Sequence, residues 1–314
     1  MMAHKKLLMI VNPTAGRTKS RSPLFDAAAV LSQAGYLLSI HNTAFPGDAA
    51  QTAAALGKEY DVVVAVGGDG TLNQVVSGLM TMKDRPLLGY LAQGSTNDFA
   101  SSLQIPSNPV AAAALIAKGS PRQLDIGCWN DRYFVYVASF GAFTQTSYTA
   151  PQSAKNMLGH LAYLLEGVRD LNTLRPYHVR ITADGEVLDG DYLFGAVCNS
   201  TSIGGLMHLN SDQVILDDGK FEMLLIPCPK TAGDLPNLVL ALLDQQYDYE
   251  GLVFRHVSSI HVETVENLPW SLDGEYAAST PVIDIVNRQR SLTMLLCARH
   301  WTPCAAVTTA ANRD

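Results

Sequence analysis

The chain has 314 residues, 47% of them apolar, a net charge of −7 and a mean hydropathy of +0.09. That length and apolar content suit two packed domains. The acidic balance excludes a broad basic nucleic-acid surface, and no apolar stretch reaches the length of a membrane span. The opening residues, MMAHKKLLMIVNP, are not a signal peptide, because the apolar run 7–11 is short and continues into a strand. The cysteines (Cys128, Cys198, Cys228, Cys297 and Cys304) are scattered and show no CxxC spacing, so they read as buried, reduced thiols of a cytoplasmic protein.

A first strand is expected over 6–11, broken by Asn12 and Pro13 and followed by the small residues Thr14, Ala15 and Gly16. Arg17, Lys19 and Arg21 make the next stretch basic: a solvated turn, or a loop that receives phosphate. Ser22-Pro23 is an N-cap and N1 pair that opens a helix stopped by Gly35. A second strand covers 36–42 and ends at Thr43; an alanine-rich helix runs from Gly47-Asp48 to Leu56. The unbroken run Val62, Val63, Val64, Ala65, Val66 suits a central parallel strand covered on both faces.

Gly67, Gly68 and Gly70 follow that strand at once, and Thr71 reads as the cap of a helix whose apolar face is Leu72, Val75, Val76, Leu79 and Met80. A strand, a glycine-rich turn and a helix N-terminus offer free N–H groups and a favourable dipole to phosphate. Asp69 inside that turn would repel phosphate. A bound Mg²⁺ gives it a reason to be there, although GGDG alone is also a tight turn capped by Asp. A fourth strand at 87–92 ends in a second polar turn, Gln93-Gly94-Ser95-Thr96-Asn97-Asp98, and a short helix. Ligands of open α/β sheets bind outside the carboxyl ends of the strands, so both turns can face one ligand. A helix over 109–118 completes a doubly wound unit.

From Gln123 the pattern becomes antiparallel. Strands are expected at 124–129 and 133–140, joined at Asn130-Asp131, then a helix over 153–171. Strands follow at 177–183, 191–199, 220–226, 257–264, 282–286 and 292–297, with a helix over 232–244. Asp217-Asp218-Gly219 is a tight acidic turn, Gly204-Gly205 mark a loop, and 308–314 look frayed. The domain boundary falls at 122/123, with an α/β unit over 1–122 and a β unit over 123–314 whose last residues can return to the first. His160, His208 and His261 have no paired ligand at metal spacing.

The ordered set NPTAG, GGDGT, GSTNDF, DDGK and LDGE resembles the bacterial diacylglycerol kinase family of lipid kinases, which shares its catalytic domain with sphingosine and ceramide kinases and its fold with NAD kinase. The resemblance spans nearly the whole chain. It implies an NAD kinase-like α/β nucleotide-binding domain, then an antiparallel β-sandwich, with the active site between them. It also implies that Asn12, Pro13, Thr14, Ala15, Gly16, Thr43, Gly68, Asp69, Gly70, Thr71, Leu72, Asn73, Gln74 and Ser95 contact the nucleotide, ATP. Glu275 corresponds to the proton acceptor, and Asp69 and Asp98 to active-centre acids. Asp218 corresponds to a Mg²⁺ ligand, with the carbonyls of Ile215 and Lys220. Two positions depart: Ser95 stands beside Gly94 where threonine is usual, which keeps a hydroxyl, and Gln74 replaces the usual glutamate, which removes a charge near the site.

Phosphoryl transfer needs positioning and charge neutralisation more than covalent catalysis. A lipid alcohol is a weak nucleophile, so Glu275 acting as base from the opposite domain completes the reading. The expected function is ATP- and Mg²⁺-dependent phosphorylation of diacylglycerol or a related lipid to phosphatidic acid. Two alternatives stand beside it: phosphorylation of a ribose hydroxyl as in NAD kinase, and a non-catalytic nucleotide- or lipid-binding regulator. A lipid acceptor implies peripheral docking at the inner face of the membrane. Arg17, Lys19, Arg21 and Lys155 are candidates to meet headgroups, and the 139–148 and 157–171 stretches to admit acyl chains. Family members often form homodimers, but nothing in the sequence marks a dimer face.

Overall fold

The computed structural model describes residues 5–15, 22–141, 175–203, 207–209, 214–231 and 234–297. Its first part is built on four parallel strands: β1 (Lys5–Val11), β2 (Tyr36–Asn42), β3 (Val62–Gly67) and β4 (Leu87–Ala92). They lie in the order β4-β3-β1-β2, with Val64 of β3 level with Met9 of β1 and with Gly89 of β4. Every residue of β3 is buried, as its valine run predicts for a strand covered on both faces. The helices are α1 (Ser22–Gln33), α2 (Asp48–Leu56), α3 (Asp69–Met80), α4 (Asp98–Ser102) and α5 (Pro109–Lys118). Helix α1 packs with α5, and α2 with α3. This split follows from right-handed crossovers: the chain steps one way from β1 to β2 and the other way from β2 to β3 and β4. The strand order therefore reverses between β1 and β3, and the crevice of a doubly wound sheet opens there.

The second part is antiparallel. Its strands are β5 (Ser120–Trp129), β6 (Arg132–Phe134), β7 (Val137–Gly141), β8 (Tyr177–Ala183), β9 (Glu186–Cys198), β12 (Phe221–Pro227), β13 (Val253–Val257), β14 (Ser259–Glu263), β15 (Trp270–Leu272), β16 (Glu275–Ala277) and β17 (Val282–Leu296). Two short strands, β10 (Ser202–Ile203) and β11 (Met207–His208), pair apart from them, and α6 (Asp234–Leu243) lies between β12 and β13. Side chains from both ends of this sheet path close on one core: Trp129, Phe134, Phe140, Phe221, Trp270 and Ile285 all belong to it. The Phe140 and Trp270 rings sit 4.9 Å apart, centroid to centroid. This is the α/β unit followed by an antiparallel β-sandwich that the sequence predicts.

The sheet does not stop between the two parts. Strand β17 pairs with β14 and β5 along its length, then meets β4 in parallel at Met294 and Leu88. The expected strands 282–286 and 292–297 are thus one strand, irregular between Arg288 and Leu292, where Arg290 takes a φ of 50°. The expected strand 257–264 is β14, and Val257 instead ends the separate strand β13. Asp184 accepts from the amides of Ser258 and Ser259 at that break. The expected strand 133–140 also divides, because Val135 and Tyr136 turn their amides toward a buried carboxylate from elsewhere in the chain.

Candidate active site

The carboxyl ends of β1, β2, β3 and β4 gather the predicted loops on one edge. The Asn12 carboxamide oxygen accepts from the backbone N–H and the hydroxyl of Thr14, at 3.0 and 2.8 Å. Its amide nitrogen donates to the Thr71 hydroxyl at 3.1 Å. Asn12 therefore folds the Pro13-Thr14-Ala15 turn and ties it to the start of α3 across the β1/β3 crevice. Thr43 joins this edge through its N–H to Val11 O, at 2.8 Å. The role expected of Thr71 as helix cap is corrected: α3 begins at Asp69, with Gly68 in extended conformation at the N-cap. Thr71 is instead a buried residue of the first turn that receives Asn12.

The two glycine turns press together. A Cβ on Gly94 would lie 2.6 Å from the Gly68 Cα, so only glycine allows this backbone approach. The second turn is closed by Asn97, whose side chain accepts from Gly94 N–H at 2.8 Å and donates to Gly94 O at 3.0 Å. Asn97 takes a φ of 54°, which starts α4 at Asp98 and leaves Ser95 exposed on the rim.

The closed turn brings the predicted acids together. The Asp98 N–H donates to Asp69 Oδ2 at 3.3 Å, and Asp98 itself is buried. Asp69 Oδ1 and the hydroxyl of Tyr90 on β4 are both buried and interact with each other, but neither makes a hydrogen bond of good geometry among the described residues. Burial, then the charges of Asp98 and Asp273, push the Asp69 carboxyl up to about 7. Burial and the nearby Asp69 charge likewise raise Tyr90. A buried carboxylate oxygen without a well-aligned donor, among like charges, is a fit for a divalent cation: Mg²⁺ takes one or two carboxylates and completes its shell with water and phosphate oxygens.

The opposite wall is the β15–β16 hairpin. Its turn, Asp273-Gly274, has φ values of 50° and 86°, the positive pair of a tight two-residue hairpin. Glu275 follows the turn, exposed at the mouth. A Cβ on Gly70 of α3 would sit 3.0 Å from Glu275 Oε1, so the glycine loop and the candidate base face each other directly. Asn73, one turn after Gly70 on the same helix, gives both amide hydrogens to this side of the site. Its nitrogen donates to Tyr133 O at 3.0 Å and to Asp273 Oδ2 at 2.7 Å. The Asn73 side chain expected at the nucleotide is thus held between the two parts of the chain. Leu72 is buried in the α/β core, and Gln74 is partly buried on α3.

Asp273 is the residue that sequence reasoning passed over. It was visible only as the second letter of LDGE, yet it is buried and accepts from Val135, Tyr136 and Val137 N–H at 2.6, 2.9 and 3.0 Å as well as from Asn73. Burial pushes its pKa up, and the four donors oppose that.

The acidic turn expected to hold a second metal lies at the β5, β12 and β17 junction. Asp218 Oδ1 accepts from Lys220 N–H at 2.9 Å, and the Lys220 carbonyl accepts from Asn287 at 3.1 Å. Leu216 O takes the N–H of Asp125, so Ile215 stands one residue before a carbonyl already paired. Beside the turn, Asp125 is fully buried and accepts from Gly219, Asn287 and Arg290. Glu222, also buried, has neither carboxylate oxygen hydrogen-bonded among the described residues; burial, then Asp218 and Asp125, push it up to about 9. No group of three or more His, Cys, Asp or Glu at ligand spacing occurs among the described residues. Gly16, Arg17, Lys19, Arg21, Lys155, His160, Cys304, the loop at Gly204-Gly205 and the stretches 142–148, 153–171 and 308–314 lie outside the described residues.

Residues 6–129 match the model of the diacylglycerol kinase catalytic domain, and residues 137–294 that of the YegS C-terminal NAD kinase beta sandwich-like domain. The diacylglycerol kinase of Bacillus subtilis (strain 168) is 36% identical over 295 residues, covering 93% of this chain and 96% of that protein. The chain belongs to the diacylglycerol kinase family. A diacylglycerol kinase of Staphylococcus aureus (strain MRSA252) is 33% identical over 289 residues, 92% of this lipid kinase and 91% of its relative. The crystal structure of a diacylglycerol kinase from Bacillus anthracis str. Sterne superposes with a TM-score of 0.75 at 25% identity, covering 95% of the kinase and 99% of that chain. The β-sandwich and the α/β unit of the kinase are those of its family. No helix among its described residues is long and apolar enough to cross a membrane.

Proposed function

We propose that the kinase transfers the γ-phosphate of Mg·ATP to the free hydroxyl of diacylglycerol and releases phosphatidic acid. The observation that carries this reading is that two carboxylates from opposite parts of the chain, Asp69 and Glu275, meet the first turn of α3. One is a partly orphaned carboxylate at the first turn of α3, the other an exposed carboxylate against Gly70 of that same turn.

The Asn12 turn, the Gly67-Gly68 backbone and the first N–H groups of α3 bind the nucleotide phosphates. Asp69 and Asp98 would hold Mg²⁺, which when bound would neutralise charge on the phosphates. Glu275 Oε1 takes the proton of the lipid hydroxyl. The hydroxyl oxygen forms the new bond to the γ-phosphorus, the bond from that phosphorus to the β,γ-bridging oxygen breaks, and ADP leaves with the electron pair. The acceptor lies in a bilayer, so the protein works at the cytoplasmic surface of a membrane without spanning it.

Glu275→Gln keeps the size of the side chain and removes the base. It should bind Mg·ATP as the wild type does and lose about 10²- to 10⁴-fold in turnover, the usual contribution of a positioned base. Normal turnover in that variant would remove the base from the mechanism.

A further inference from the structure

Glu275 sits at the mouth of the cleft on a three-residue strand, so something must hold it in register with the glycine loop. Its own side chain is exposed and does not supply that anchor. The residue two before it does. Asp273 is 3% exposed and lies at the first position of the tight turn. Its N–H donates to Val137 O at 2.9 Å, and its carboxylate collects three successive amides, Val135 to Val137. That arrangement fixes the hairpin to the β6–β7 connection and breaks what would otherwise be one continuous strand. Asn73 joins the assembly to the nucleotide side: its Nδ2 donates to Asp273 Oδ2, at 2.7 Å. The same nitrogen reaches Tyr133 O at 3.0 Å. Both partners are acceptors, so the amide nitrogen must be the end that faces them. Asn73 lies on α3 one turn after Gly70, whose Cα hydrogen side faces Glu275 Oε1.

We propose that Asn73 and Asp273 form a clamp that sets the distance between the phosphate-binding helix and the Glu275 carboxylate, so that both are positioning residues for proton removal. This rests on the reading of Glu275 as the base. Charge-assisted bonds of this length are the stronger kind, and Asp273 is held by four of its hydrogen-bond donors from two separate parts of the chain. Releasing the α3 side leaves the three amide bonds in place, so the hairpin stays folded and loses only its register with α3.

The test is a double-mutant cycle in Asn73 and Glu275, read by kcat for lipid phosphorylation, by calorimetric affinity for Mg·ATP and by melting temperature. Asn73→Ala should lower kcat by about tenfold or more, as displacement of a reacting group by about an ångström does, while ATP affinity stays within about twofold. Asn73→Gln keeps the amide but carries it one methylene further from α3, so it should recover only a small part of the loss. In the Glu275→Gln background, Asn73→Ala should change the residual rate less than about twofold, because the clamp acts through Glu275. An unchanged kcat in Asn73→Ala would overturn the proposal. An equal fold-loss in both backgrounds would do the same, since it would mark a general structural role. Full turnover in Glu275→Gln alone would instead bring down the base reading, and the clamp with it. Loss in Glu275→Gln with none in Asn73→Ala would bring down the clamp alone.

Discussion

Replacing Asp69 by asparagine separates what this residue costs the fold from what it contributes to the site. The Asp69 carboxyl is pushed up to about 7 from an ordinary 3.8, first by burial and then by Asp98 and Asp273. A raised acid binds its proton more tightly in the folded chain than in the unfolded one. Its ionisation therefore costs no stability below pH 3.8, an increasing amount as pH rises from 3.8 to about 7, and a constant amount above that. The gap is about 3 pH units, and each is worth about 1.4 kcal/mol, so the ceiling is about 4 kcal/mol. Asp69 is partly exposed, and solvent screening brings the expected figure to about 1–2 kcal/mol. Asparagine keeps an oxygen for the Asp98 N–H and places an amide nitrogen at the Oδ1 position, beside the Tyr90 hydroxyl. The variant should thus melt a few degrees higher than the wild type at pH 8 in the absence of nucleotide and metal. That advantage should shrink as the pH is lowered to 5 and disappear below 4. Turnover should fall by at least about a hundredfold. Thermal melts across this pH range, with Mg·ATP affinity and turnover at pH 8, are the assay. A variant that is less stable than the wild type at pH 8, or whose advantage does not depend on pH, would refute the account of Asp69 as a desolvated charge among like charges.

Gly70→Ala would put a methyl group 3.0 Å from Glu275 Oε1. Alanine favours a helix by about 0.5–1 kcal/mol over glycine, so melting temperature should hold or rise while turnover falls about fivefold or more; a variant of normal turnover would contradict the facing of α3 and the hairpin. Gly94→Ala forces the two turns apart, because its Cβ would meet Gly68 Cα at 2.6 Å and Asn97 Oδ1 at 2.7 Å. It should lose about 1–3 kcal/mol of stability and raise the KM for ATP, both read from denaturant melts and initial rates. If the Asp218 turn holds a divalent cation, chelation should lower the melting temperature of the wild type by a few degrees and leave Asp218→Ala unmoved; equal shifts in both would remove the metal from that turn.

The α/β half was legible in the sequence because its signals are local. The β3 valine run, the glycines after it and the Ser22-Pro23 helix start each depend on residues a few positions apart. The error at Thr71 is instructive: threonine after glycine has the form of a cap, but Gly68 in extended conformation lets the helix begin at Asp69, and the Thr71 hydroxyl turns to Asn12, 59 positions away. The β half was legible as strands and illegible as register. Val135 and Tyr136 have the composition of a strand interior, and what takes them out of one is the carboxylate of Asp273, more than a hundred positions later. No periodicity carries that information. The union of 282–286 with 292–297 is hidden for the same reason: Asp125 accepts the N–H of Arg290 inside the irregular stretch, so polar residues that read as a loop remain in the strand. At the site, Asp69, Asp98 and Glu275 were visible as motif letters, whereas the bonds among Asn73, Asp273 and the β6–β7 connection emerge only when the two halves close.

The acceptor is the centre of the account, and one measurement tests it most directly: transfer of labelled γ-phosphate from Mg·ATP in parallel reactions with diacylglycerol in mixed micelles, a panel of other lipid alcohols, and NAD. The account predicts labelled phosphatidic acid with diacylglycerol and none with NAD. Label on NAD and none on any lipid would contradict it.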